Sequence, residues 1–127
     1  MTSSQVQKWL DRVEYDLQTA KAMLDGSRYI YVIFMCQQAV EKCLKAVAVS
    51  RGRELVPIHN LRRLAELSEV QFDQEKLLKL DFLSEYYVNS RYKEDLAELS
   101  KGITKEFAGD LLTFSREIIE WLTKEIK

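Results

Sequence analysis

Apolar residues recur at helical spacing along almost the whole chain, and four glycines and one proline cut that pattern into segments. Val6, Leu10, Val13, Leu17, Ala20 and Leu24 follow at intervals of three and four, which is one face of a helix. Ser4 with Gln7 three residues on has capping-box spacing, so this helix is expected to open at Ser4 and end near Asp25-Gly26-Ser27. A second helix is predicted from about Arg28 to Ser50, stopped by Gly52. The loop containing Pro57 leads to a short helix capped by Asn60 and carrying Leu61, Leu64, Ala65 and Leu67. Leu77, Leu78, Leu80, Phe82, Leu83, Tyr86 and Tyr87 define a fourth helix, whose wide apolar arc predicts burial. Periodicity lapses from Val88 to Gly102, with a turn expected at Leu96 to Leu99. The last helix opens near Thr104. It carries one stripe of Phe107, Leu111, Phe114, Ile118 and Trp121 and a second of Ala108, Leu112, Ile119 and Ile126, predicting contact with more than one neighbour, inside the domain or across a dimer.

No segment alternates with period two, so no strand is predicted and the fold class is all-α. Three long helices of over 20 residues and a mid-length one, joined by short loops, imply an antiparallel up-and-down bundle of four to five helices. The 127 residues, with no linker or repeat, read as a single domain over 1–127.

One polar interruption stands out. Gln37, Gln38, Glu41, Lys42 and Lys45 fall within an arc of about 140° on the second helix, at roughly 100° per residue. The same arc is apolar one turn earlier, at Ile30, Tyr31, Phe34 and Met35, and again later, at Ala48 and Val49. The stripe is a polar window between buried stretches, suited to lining a cleft or facing a partner subunit.

Charge adds a local feature. The net charge of -1 marks the chain neither as a nucleic-acid binder nor as a membrane-surface protein. Between Glu41 and Arg63, however, six basic residues (Lys42, Lys45, Arg51, Arg53, Arg62, Arg63) face two acidic ones (Glu41, Glu54), predicting a basic patch near the end of the second helix. Cys36 and Cys43 are seven residues apart on one helix, about 10 Å along its axis, too far to bridge. Free buried thiols, with no signal peptide or long apolar span, predict a cytoplasmic protein away from the membrane.

His59 is the only histidine, which excludes His-rich metal sites and paired-histidine acid–base chemistry. The two cysteines lack metal-ligand spacing, so neither a metal nor a cofactor is expected. His59 is either a loop residue at a helix start or a base or phosphate ligand facing the polar window. Glu41 and Lys45 are either a solvated i, i+4 pair or part of a site. Arg91 can grip a phosphate bidentately and Tyr92 can stack on a base, or Arg91 is a cation at a helix C-terminus. No phosphate loop, nucleophile elbow or CxxC supports a common enzyme class.

Trp9 and Asp16-Leu17 with Ala20, then Gln37-Gln38-Ala39-Val40-Glu41-Lys42-Cys43-Leu44-Lys45-Ala46, Ile58-His59-Asn60-Leu61 and Ser90-Arg91-Tyr92 together resemble the HEPN domain family of prokaryotes over nearly the whole chain. The resemblance implies an up-and-down helical bundle, commonly a homodimer, often encoded beside a minimal nucleotidyltransferase in a toxin–antitoxin-like pair. It implies nucleotide, RNA or partner contacts at Gln38, Glu41, Lys42, Lys45, His59, Arg91 and Tyr92. Members that are metal-independent RNases carry an Arg followed four to six residues later by His near the start of the last helix. Here Arg91 is followed by Tyr92-Lys93-Glu94-Asp95-Leu96-Ala97 with no histidine. Arg53 and His59 match that spacing, but in the Pro57 loop. The leading expectation is therefore a non-catalytic binding partner. The alternatives are an RNase using Arg91 or the Arg53 and His59 pair, and a purely structural dimerisation or docking module.

Overall fold

The computed structural model describes residues 3–54, 57–92 and 101–126, except for the side chains of 86–92. Among the described residues are five helices and no strand: α1 (Ser4–Asp25), α2 (Tyr29–Ser50), α3 (Leu61–Ser68), α4 (Gln74–Tyr92) and α5 (Lys105–Thr123). The all-α bundle is as expected, with helices of 22, 22, 8, 19 and 19 residues in chain order. No helix among the described residues is long and apolar enough to cross a membrane.

The centre is α2, which packs against each of the other four helices. Fourteen of its 22 residues are buried, which requires neighbours on nearly every side and accounts for its almost uniform hydrophobicity. Val32, Ile33, Val40, Leu44 and Val47 are fully enclosed. At about 1.5–3 kcal/mol for each large aliphatic side chain, such burial anchors the domain. Along α2 lies α1, which contributes Val6, Val13, Leu17 and Ala20.

The helix ends follow local chemistry. At α1 the cap is Ser3 rather than Ser4: Ser3 Oγ accepts from the Val6 amide at 3.2 Å. The capping box does not form, because with Ser3 as the cap the third helical position is Val6; the Gln7 side chain donates to Asp11. Asn60 and Thr104 cap α3 and α5 as expected, accepting from the amides of Arg63 and Phe107. Both α1 and α2 end in the same six-residue closure. The Arg28 amide reaches back to Met23 O and that of Ser27 to Leu24 O, as Arg53 does to Ala48 O and Gly52 to Val49 O. The left-handed residue is Gly52 (φ 76°) in the second case but Ser27 (φ 61°), not Gly26, in the first.

One expectation about burial is corrected, and one question the sequence left open is answered. On α4, Leu80 and Leu83 are buried, but Leu78 and Phe82 are exposed, so its wide apolar arc is only partly covered. The helix also runs on through Tyr92, past the loss of periodicity at Val88, because backbone hydrogen bonding needs no apolar stripe to continue. On α5 the second stripe is the core one. Ala108, Leu112 and Ile119 are buried with Ile118 and Leu122, whereas Phe107 is exposed and Leu111, Phe114 and Trp121 are half-buried. The turn expected at Leu96 to Leu99 lies outside the described residues.

Candidate functional site

The polar window of α2 folds into a network centred on Glu41. Helical spacing stacks Gln37, Glu41 and Lys45 one above another, and all three are buried, Gln37 completely and the two charged residues to 9% exposure. The Glu41 carboxylate accepts from Gln37 Nε2 at 3.1 Å and from Lys45 Nζ at 3.0 Å. His59 arrives from the loop before α3, its Nδ1 3.1 and 3.2 Å from the two carboxylate oxygens. Gln37 Nε2 also donates to the His59 carbonyl at 3.3 Å, fastening that loop to the helix. Both partners of Nε2 are acceptors, which leaves the buried Gln37 Oε1 without a hydrogen bond among the described residues.

The network has an inside and an outside. An ionised carboxylate only accepts, so His59 Nδ1 carries the proton and Nε2 is left free of this contact. The His59 side chain is 57% exposed, against 11% for those of Glu41 and Lys45. The buried charges thus meet solvent mainly through an imidazole whose orientation a carboxylate determines. Lys45 Nζ also lies 5.8 Å from the centre of the Trp9 ring on α1, which Arg12 approaches at 5.3 Å.

The other predicted residues separate. Lys42 is turned away to Asp16 on α1 at 2.7 Å, a half-buried pair that clamps α1 to α2. Gln38 is half-buried and makes no side-chain hydrogen bond among the described residues; the amide that joins the network is Gln37. Arg91 and Tyr92 sit in the last turn of α4, and their side chains lie outside the described residues. Arg53 is bound to Glu69. The basic patch is neutralised: Arg51 pairs with Glu125, Arg62 with Asp81 through three hydrogen bonds, and Arg63 approaches Glu66. These acids come from distant or later segments, which a window of sequence does not include.

Asp16 and Trp9 are not among the candidates read from the residues themselves. Asp16 carries a signal, since it sits between Val13 and Ala20 on the apolar face of α1, where a carboxylate needs a partner. The two thiols have no part in the site. Burial pushes Cys36 up to about 11, opposed by the neighbouring Ser115 side chain and the charge of Arg116, and pushes Cys43 up to about 12.

The HEPN domain family matches residues 6–126, essentially the whole described chain. The chain belongs to the HEPN family. A relative from Methanocaldococcus jannaschii, named "Putative toxin MJ1304", is 30% identical over 94% of this chain and 86% of its own length. The crystal structure of ST0689, an archaeal HEPN homologue, superposes with a TM-score of 0.80 at 25% identity, covering 96% of this chain and 98% of that one. TT1696 from Thermus thermophilus has the same fold, with a TM-score of 0.82 at 20% identity over 97% of this chain and 99% of its own. In this HEPN chain the segment on which the resemblance rests, Gln37 to Ala46, is the one that builds the Glu41 network.

Proposed function

We propose that this HEPN protein acts as a binding partner in a toxin–antitoxin-like pair. In this reading it is a cytoplasmic homodimer that takes a nucleotide, or a minimal nucleotidyltransferase carrying one, at the Glu41 network. The observation that carries the reading is a charged pair buried in the central helix and opening to solvent through His59. A buried ion pair is often replaceable by apolar side chains without loss of stability, so its presence is better accounted for by what it presents. It presents an imidazole held in one orientation, beside an ammonium group and an indole ring. An ammonium suits phosphate oxygens, and an imidazole nitrogen that carries no proton accepts from a ribose hydroxyl. Arg91, seven residues beyond the Ser84 that accepts from the Leu61 amide, would add a bidentate cation on α4, and Tyr92 a stacking ring. The toxin naming of the Methanocaldococcus jannaschii relative supports the genetic setting. Calorimetry with ATP, other nucleotides and short RNA tests the reading, together with pull-down by a neighbouring transferase. Binding is expected to weaken at least tenfold in His59→Ala and Lys45→Ala. No binding to any of these, with wild-type behaviour of both variants in a growth assay, overturns it.

A second reading, a metal-independent RNase, is favoured by one specific observation: the carboxylate–imidazole contact between Glu41 and His59 is the arrangement that orients a general base. The absence of a histidine after Arg91 and the engagement of Arg53 by Glu69 weigh against it. RNA cleavage that survives intact in His59→Ala would remove it.

A further inference from the structure

A second surface, unconnected with Glu41, lies between α4 and α5. The two helices run antiparallel: Lys76 lies over the Trp121 ring at 5.0 Å, Lys79 over Phe114 at 4.9 Å, and Phe82 meets Phe107 edge-on at 5.7 Å. Each helix has its main packing elsewhere, α4 on α2 and α3, α5 on α2 and α1, which leaves a groove between them. Two hollows of about 270 and 310 Å³ lie in line along it, one on either side of the Lys79–Phe114 contact, which lines both. Their floor is the outer stripe of α5, from Phe107 through Leu111 and Phe114 to Trp121. Leu78, 56% exposed, stands on the neighbouring α4. Fourteen rises of 1.5 Å from Phe107 to Trp121 make the floor about 21 Å long, the length of a four-turn helix.

The charges on this groove select its occupant. Its lining holds four carboxylates, Asp73, Glu75, Asp110 and Glu117, and two lysines. Lys76 is bound to Asp73 and Lys79 to Glu75, so the lysines are neutralised within α4. Asp110 and Glu117, both exposed on α5, have no ion pair among the described residues. The groove therefore combines an apolar floor with a net charge of about -2 on its walls, by that tally of four acids against two bases. A second copy docked groove to groove by two-fold symmetry would bring two faces of the same net charge together, which repels.

We infer that the α4–α5 groove is a docking site for a partner protein's amphipathic helix of about four turns, whose apolar stripe is flanked by lysine or arginine. The apolar stripe displaces the Lys76 and Lys79 ammonium groups from the Trp121 and Phe114 rings and lies on them and on Leu111 in the helix-in-groove manner, and the flanking cations pair with Asp110 and Glu117. The test uses two 16-residue helical peptides with the same leucine stripe, one flanked by lysine and one by glutamate, titrated into the full chain labelled with ¹⁵N. The lysine peptide is expected to bind at least tenfold more tightly and to shift amides of α4 and α5. In Asp110→Lys/Glu117→Lys that preference is lost or reversed, and Phe107→Glu, at an exposed residue of the floor, weakens the lysine peptide, with far-UV circular dichroism unchanged. Equal binding of the two peptides, shifts confined to other helices, or no effect of any of these substitutions overturns the inference. So does a wild-type dimer that Phe107→Glu converts to monomer in sedimentation, since the occupant is then a second copy.

Discussion

The Glu41–Lys45 pair gives a sharp quantitative expectation. In Glu41→Gln the Lys45 ammonium keeps its place, 11% exposed, but loses the carboxylate 3.0 Å away. The new amide also points N–H groups toward the donors of Gln37 and Lys45. Breaking a buried pair by removing one partner costs about 3–5 kcal/mol. The Trp9 face near Lys45 offsets roughly 0.5–1 kcal/mol of that, so the lower end of the range, about 3 kcal/mol, is expected. That is a large part of the roughly 5–15 kcal/mol by which a domain of this size is stable. In Glu41→Leu/Lys45→Met both charges leave together. Gln37 keeps the His59 carbonyl, and the exposed imidazole turns to water. This double variant is expected within about 1 kcal/mol of the wild type. Urea denaturation followed by far-UV circular dichroism, at a common dependence on denaturant, measures each value. A loss below about 1 kcal/mol in Glu41→Gln, or simple additivity of Glu41→Leu and Lys45→Met in the double variant, would refute the picture of a desolvated, coupled pair. If the double variant folds but no longer binds nucleotide or transferase, the charges serve the site and not the fold.

Three further outcomes follow from particular contacts. Ser27→Gly should stabilise the domain by about 0.5–1 kcal/mol in the same urea assay, because Ser27 holds the left-handed conformation in which a Cβ is penalised. Asn60→Ala should cost about 1 kcal/mol by removing the cap of α3, and Asn60→Gly distinctly less. Native Cys36 and Cys43, held up to about 11 and 12, should resist alkylation at pH 8 and react readily in urea, as mass spectrometry will resolve. Unfolding lets both thiols ionise at their ordinary value of 9.0, so they draw stability down as pH rises past that value and have no such effect below it.

The repeat of apolar positions and the placement of Gly26, Gly52, Asn60 and Thr104 are enough to locate one end of four of the five described helices within a residue or two, because caps and spacing act over three or four residues. The same local reasoning finds Glu41 and Lys45 as candidates, since polar residues inside a buried helix stand out in one dimension, and His59 as the only histidine. It does not tell which of two adjacent glutamines joins them: 100° of helical rotation sends Gln37 to the His59 loop and Gln38 elsewhere, and only the position of that loop decides. Nor does it reveal that Lys42 belongs to Asp16, or that six clustered basic residues are answered by acids as far off as Glu125. Which α5 stripe became core and which became the floor of a groove was likewise decided by where α2 and α4 come to lie. Helices are set by neighbours along the chain; burial, charge pairing and sites are set by neighbours in space, and those appear only when the helices pack.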